Sequence, residues 1–193
     1  MLADAGSPSV VLTSRSARVG HGVDIVFVAV CRIVACDASD AMDASTCLTH
    51  TTLAGALHAA GTLCDKMVRS MVVSDIEGAF APKAHAASCV RSAVARPLME
   101  VVGLFSSVAV IFGNVGQANY AAANAYLDGL ASVGRQGGIL SSSLQIPAVG
   151  GAGMGAAAFG KEQLDAMGGI GLDEFAVCLS ASLRVARAAT ERT

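Results

Sequence analysis

Val101-Val102-Gly103-Leu104-Phe105-Ser106-Ser107 is the stretch from which the fold is read. It is apolar up to its closing serines and too short for a helix of ordinary length, so it reads as a strand buried on both faces. Downstream, Gln117 to Val133 is a long Ala-rich helix, and Ile139 to Leu144 is a further strand. Upstream, Val10-Val11-Leu12-Thr13 reads as a short strand ending at Ser14-Arg15. A longer apolar run, Val23 to Ala35, holds one strand or two. Leu53 to Leu57 is a strand entering His58-Ala59-Ala60-Gly61, and a helical stretch begins near Val72, with Pro82 as an interior start or kink. Glu174 to Ala188 closes the chain as a helix. Buried strands alternating with helices predict an α/β fold, a Rossmann-type doubly wound parallel sheet with helices on both faces. No internal repeat is visible, and residues 1–193 read as a single domain.

Composition narrows the function classes. Apolar residues make up 53% of the 193 residues and charged residues 15%, which is ample for a core and far from disorder. Net charge is −2 with no basic run, so neither nucleic acid nor an anionic membrane surface is an expected partner. The most apolar stretch, Ile25 to Cys36, is too short to span a bilayer and contains Arg32. Cys31, Cys36, Cys47, Cys64, Cys89 and Cys178 form no Cys-x-x-Cys pair and show no ligand spacing with histidine. They read as reduced core residues of a cytoplasmic protein, with no metal site expected.

In an open parallel sheet, ligands sit beyond the carboxyl ends of the strands. Ser107 ends one strand there, and Tyr120 opens the long helix, with Asn124 one turn further on the same face. A strand-end hydroxyl and a first-turn phenol suit carbonyl reduction. Hydride addition leaves negative charge on oxygen, which one hydroxyl steadies while the other supplies a proton. A phenol of pKa about 10 donates more readily beside a Lys ammonium that stabilises its phenolate.

The block from Leu104 to Ala109 and then Gly113-Asn114-Val115-Gly116-Gln117-Ala118-Asn119-Tyr120 to Asp128 resembles the active-site block of polyketide synthase ketoreductases. These belong to the short-chain dehydrogenase/reductase superfamily. Most of that superfamily has Lys one turn after the Tyr. Modular-synthase ketoreductases have Asn there, as Asn124 is here, and carry the Lys on an earlier helix, where Ala81-Pro82-Lys83 resembles their motif. The resemblance implies that Ser107 polarises the carbonyl, Tyr120 donates the proton, Lys83 steadies the phenolate, and Asn124 holds the Lys and a water. It implies NADPH as cofactor, with Arg15 at the 2′-phosphate, Asp37 and Ala38 at the adenine, and Ala59, Ala60 and Gly61 along the ribose. The implied substrate is a 3-oxoacyl thioester on an acyl carrier protein, reduced to the 3-hydroxyacyl form in polyketide or fatty-acid biosynthesis, beside other synthase domains.

The chain also departs from that pattern. Met1 to Gly6 resembles the end of the family's first helix, so the first strand and the pyrophosphate-binding Gly-rich turn are expected to be missing. Backbone donors at that turn normally hold the pyrophosphate, and weak NADPH binding is therefore expected of this chain. The missing strand is a central one, whose loss leaves a gap or an exposed edge. Arg18 to Val30 is too short for the usual helix, and Gln145 stands where Trp is expected. A reading of another class follows: a non-catalytic remnant serving as a structural or interaction piece of a megasynthase. Gly151 to Ala156 fits the G-x-G-x-x-G/A pattern but has no βαβ unit after it, and the resemblance places it in the substrate lid. His58 and Tyr126 read as structural residues. Thr62-Leu63-Cys64-Asp65 keeps part of the Leu-Asp-Asp motif of ketoreductases giving the so-called B-type hydroxyl, and the chain has no Trp, so that configuration is expected.

Overall fold

The computed structural model describes residues 10–18, 31–49, 53–94, 101–151, 160, 162 and 168–190. Its strands are β1 (Val10–Ser14), β2 (Cys31–Ala35), β3 (Gly55–His58), β4 (Val101–Ser107) and β5 (Ser141–Ile146). Between them run helices α1 (Ala41–Thr49), α2 (Val73–Phe80), α3 (Ala86–Val94), the short α4 (Ala109–Phe112) and α5 (Ala118–Gln136); α6 (Leu172–Thr190) closes the fold. Every strand pairing is parallel. β1 pairs with β2 from Val10 against Cys31 to Ser14 against Ala35, β3 with β4 from Gly55 against Val101, and β4 with β5 from Val102 against Ser141.

The side chains of β4 show why helices must cover both faces. Val102 and Leu104 point one way into a core shared with Leu127 and Ala131 of α5 and Ala87 of α3. Phe105 points the other way and meets Phe175 of α6 edge to face, with ring centroids 5.7 Å apart. Each face of a strand with apolar residues on both sides is thus buried under a helix.

The expected α/β architecture is present, with one break. The strands form two sheets, β1-β2 and β3-β4-β5, and among the described residues no strand joins β1 to β3. In the doubly wound order 3-2-1-4-5-6, the first strand lies between these two edges. The two sheets are held by helix packing instead, chiefly α1 against α3. Met1 to Ser9 and residues 19–30 lie outside the described residues, as does most of the Gly151 to Ala156 segment.

Helix α1 was not legible from apolar periodicity. Its start is fixed by Asp40, whose carboxylate accepts from the backbone N–H groups of Met42 and Asp43, both at 2.9 Å. An Asp before a helix satisfies orphan donors in this way, and that was the available signal. Pro82 does not begin a helix. It sits in a π turn, Ala81–His85, that joins α2 to α3.

Helix α5 lies close on β5 at Gly134. A Cβ built there would stand 2.8 Å from the Cβ of Ser141. Both elements are pinned, because Asp128 of α5 accepts hydrogen bonds from Ser143 and Gln145 of β5. Gly134→Val is therefore expected to cost about 1–3 kcal/mol by overpacking, read as a lowered midpoint in urea unfolding of the full chain.

Candidate active site

The site is built around the lysine of the Ala81-Pro82-Lys83 motif. Pro82 has no N–H to donate, and its ring crowds the carbonyl one turn back, so the helix widens into the π turn. Lys83 within that turn is only 2% exposed. Its ammonium Nζ donates to the carbonyl of Phe105 on β4 at 3.0 Å and lies 5.3 Å from the centroid of the Tyr120 ring. Burial disfavours the charged form and lowers the Lys83 pKa to about 8.

The turn is held from below by His58, the last residue of β3. Its Nε2 lies 3.1 Å from the Lys83 carbonyl, which can only accept, so this nitrogen carries the proton. Burial pushes the His58 pKa down and favours the neutral ring. His58 is thus structural, as the sequence suggests, and the structure specifies what it supports.

The opening of α5 is fixed by amides. Asn119 donates to the carbonyls of Cys64 and Asp75, at 2.9 and 2.8 Å, and its oxygen accepts from the Tyr120 N–H at 2.8 Å. Gln117 reaches Asp65 at 2.8 Å. The phenol ring of Tyr120, in the first turn, is buried against Lys83. Among the described residues no hydrogen bond reaches its hydroxyl. One turn on, Asn124 donates to the Tyr120 carbonyl at 2.9 Å, while its side-chain oxygen is fully buried and has no partner. Ser106 of β4 donates to the Asn124 carbonyl at 3.2 Å. Ser107 follows at the strand end, and its oxygen accepts from the Ala109 N–H at 3.2 Å.

Three elements therefore meet at the carboxyl end of β4: the π turn through Lys83, the helix through Tyr120 and Asn124, and the strand through Phe105 and Ser106. The structure brings Lys83 against Tyr120. Ser107 closes the same strand and, among the described residues, is not hydrogen-bonded to either. Tyr126 faces elsewhere, sharing a 2.8 Å hydrogen bond with Ser88 of α3. Beside the start of α5 lies a cleft of about 270 Å³, lined by Met67, Val68, Asn114 and Gln117 among others. The roles of Asn119, Gln117 and Ser106 were missed from sequence; polar residues flanking Tyr120 in an apolar helix were the visible hint.

The remaining predicted residues line the carboxyl ends of the other strands. Arg15 is exposed in the turn after β1. Asp37, just beyond β2, accepts from the Ser39 hydroxyl at 2.6 Å and the Ser39 N–H at 3.0 Å. These bonds hold its carboxyl below the usual range, with the Arg15 cation adding a smaller pull in the same direction. Ala38 is half-buried beside it. Ala59 and Ala60 are exposed directly after β3, and Gly61 is half-buried. Each of these residues thus lies at or just beyond the carboxyl end of its own strand.

The KR domain family profile matches residues 1–151. The chain is 45% identical over 116 residues to polyketide synthase GfsA of Streptomyces halstedii, covering 58% of this chain and 2% of that protein. Among solved structures, it resembles the PlmKR1 ketoreductase from the first module of phoslactomycin biosynthesis in Streptomyces sp. HK803. The TM-score is 0.77 at 25% identity, over 89% of this chain and 43% of that one. An A-type ketoreductase from a modular polyketide synthase matches at TM-score 0.64 and 31% identity, over 74% of this chain and 33% of that one. The chain therefore spans a small fraction of the curated relatives and less than half of these solved ones.

Lys83 carries a stability signature. An unfolded lysine keeps its proton up to about 10.5, whereas the folded one loses it near 8. Between those values the unfolded state binds more protons, so stability rises with pH across this window and levels off above it. The rise is on the order of 3 kcal/mol. Urea unfolding across that pH range is expected to show it in the parent protein and not in Lys83→Met, while other titrating groups act on both alike.

Proposed function

Given that the chain belongs to the KR-domain family of polyketide synthases, within the short-chain dehydrogenase/reductase superfamily, we propose that it serves NADPH-dependent reduction of a 3-oxoacyl thioester. The thioester is carried on an acyl carrier protein and leaves as the 3-hydroxyacyl form, inside a cytoplasmic megasynthase. The observation that carries this reading is the buried Lys83 ammonium wedged between the Phe105 carbonyl and the Tyr120 ring. A cation of this kind is expensive to bury, and in the proposed reaction its place beside the ring suits it to balance the negative charge left on Tyr120.

The residues at the strand ends fit the cofactor. Arg15 offers a planar guanidinium suited to the 2′-phosphate, Asp37 and Ala38 form the adenine shelf, and Ala59, Ala60 and Gly61 give the ribose an open backbone edge. When bound, NADPH supplies the hydride. Ser107 steadies the substrate oxygen: Ala109 occupies one of its lone pairs, so its O–H is free to donate. Tyr120 gives the proton, and Lys83 holds the phenolate that remains. Phe105 takes one of three ammonium protons, and the unpartnered Asn124 oxygen suits another of them or a water.

Two measurements address the reading in the synthase domain that contains this chain, with a 3-oxoacyl thioester surrogate. Tyr120→Phe keeps the ring against Lys83 and removes the acid, so turnover is expected to fall about 10²–10⁴-fold with NADPH affinity nearly unchanged. A variant retaining most of its activity would move the acid role elsewhere. In the same assay, chiral chromatography is expected to show the B-type hydroxyl, in keeping with Leu63, Asp65 and the absence of Trp. A predominance of the opposite enantiomer refutes that assignment.

A further inference from the structure

The turn after β2 and the face of α1 turned towards it bring together three side chains that the reduction does not use. Asp43 and Cys47 lie one helical turn apart on α1 and so share a face. Cys36, buried at the end of β2, faces them. The two sulfurs and a carboxylate oxygen all lie within 4.8 Å of one another, and the Cys47 Sγ is 3.8 Å from Asp43 Oδ1. Spacing along the chain gave no ligand signature here; the β2–α1 turn creates the cluster.

We propose that Cys36, Cys47 and Asp43 form a binding site for a thiophilic divalent cation of the zinc class. Zinc takes thiolate sulfur at about 2.3 Å and carboxylate oxygen at about 2.0–2.2 Å in tetrahedral array. That array sets neighbouring ligand atoms roughly 3.5–3.8 Å apart, so a small contraction of the cluster completes it. The carboxylate is already oriented. Its second oxygen, Oδ2, accepts the Asp37 N–H at 2.6 Å, which leaves Oδ1 towards the sulfurs. A fixed outer-shell hydrogen bond of this sort is what holds ligands in place around protein-bound metals. Two sulfurs select zinc, cadmium or cobalt over magnesium or calcium, which prefer all-oxygen sites. On binding, two S–H bonds break, two sulfur–metal bonds form and two protons pass to the buffer; no redox change is involved. Asp43 and Cys47 are only half-buried, so a fourth position opens to solvent.

The test uses the full 193-residue chain under a phosphine reductant, with Co²⁺ as the probe. A near-ultraviolet sulfur-to-cobalt charge-transfer band is expected to saturate at one equivalent and to bleach on adding Zn²⁺. Cys47→Ala should abolish the band, Asp43→Asn should weaken Co²⁺ affinity about tenfold or more, and Cys178→Ala, at an exposed thiol, should leave it unchanged. No band from fully reduced protein overturns the proposal, as does an undiminished band in folded Cys47→Ala. Should that variant not fold, alkylation of the parent chain followed by peptide mass spectrometry decides. Zn²⁺ is expected to protect Cys36 and Cys47 while leaving Cys178 reactive, and labelling indifferent to Zn²⁺ overturns the site.

Discussion

A buried ammonium needs partners, and the satisfaction of Lys83 organises the centre of this fold. The nitrogen must leave water, which costs several kcal/mol unless hydrogen bonds and nearby polarisable groups offset it. The Phe105 carbonyl at 3.0 Å and the Tyr120 ring at 5.3 Å from its centroid supply part of that. To reach them, the chain needs Pro82 to open the π turn, His58 to hold the Lys83 carbonyl, and β4 to end where it does. The remaining shortfall is visible as the pKa lowered to about 8.

The same region is tied together by side-chain hydrogen bonds. Asn119 and Gln117 tie the start of α5 to Cys64, Asp65 and Asp75, and Lys66 pairs with Asp75 at 2.8 Å on the surface. The loop from Gly61 to Val72 is thereby fastened across the mouth of the site by short amide bonds. Several flanking side chains, among them Met67, Val68, Phe112 and Val115, remain exposed.

The opposite half is held by less. β1 and β2 form their own small sheet, and α1 against α3 takes the place of strand pairing in joining it to the rest. Helix contacts between small residues bury less area than a shared central strand. The half bearing Arg15, Asp37 and the cysteine cluster is therefore expected to unfold more readily than the β4–α5 core. A cation linking the end of β2 to α1 would tie this half internally, through side chains, where the sheet does not.

The sequence by itself determined the fold class, because apolar runs of strand length alternating with amphipathic stretches admit little besides a parallel sheet covered on both faces. It also determined which residues to examine, since Ser107, Tyr120 and Asn124 lie in a long ungapped block of recognisable pattern and Pro82-Lys83 in a short motif ahead of it. Those are local signals, carried by periodicity and by neighbours along the chain. It missed α1, whose signal was the cap at Asp40 and not any apolar stripe. Only the tertiary structure decided that Lys83 is buried, that its ammonium meets Phe105 and Tyr120, and that His58 braces it. Each of those contacts joins residues far apart in sequence, and no local pattern encodes their distance. The meeting of Cys36 with Asp43 and Cys47 is of the same kind, since a turn of unknown geometry separates them until the chain is folded. The split between β1 and β3 is tertiary too: strands are legible one at a time, but which edges pair is settled by packing around them.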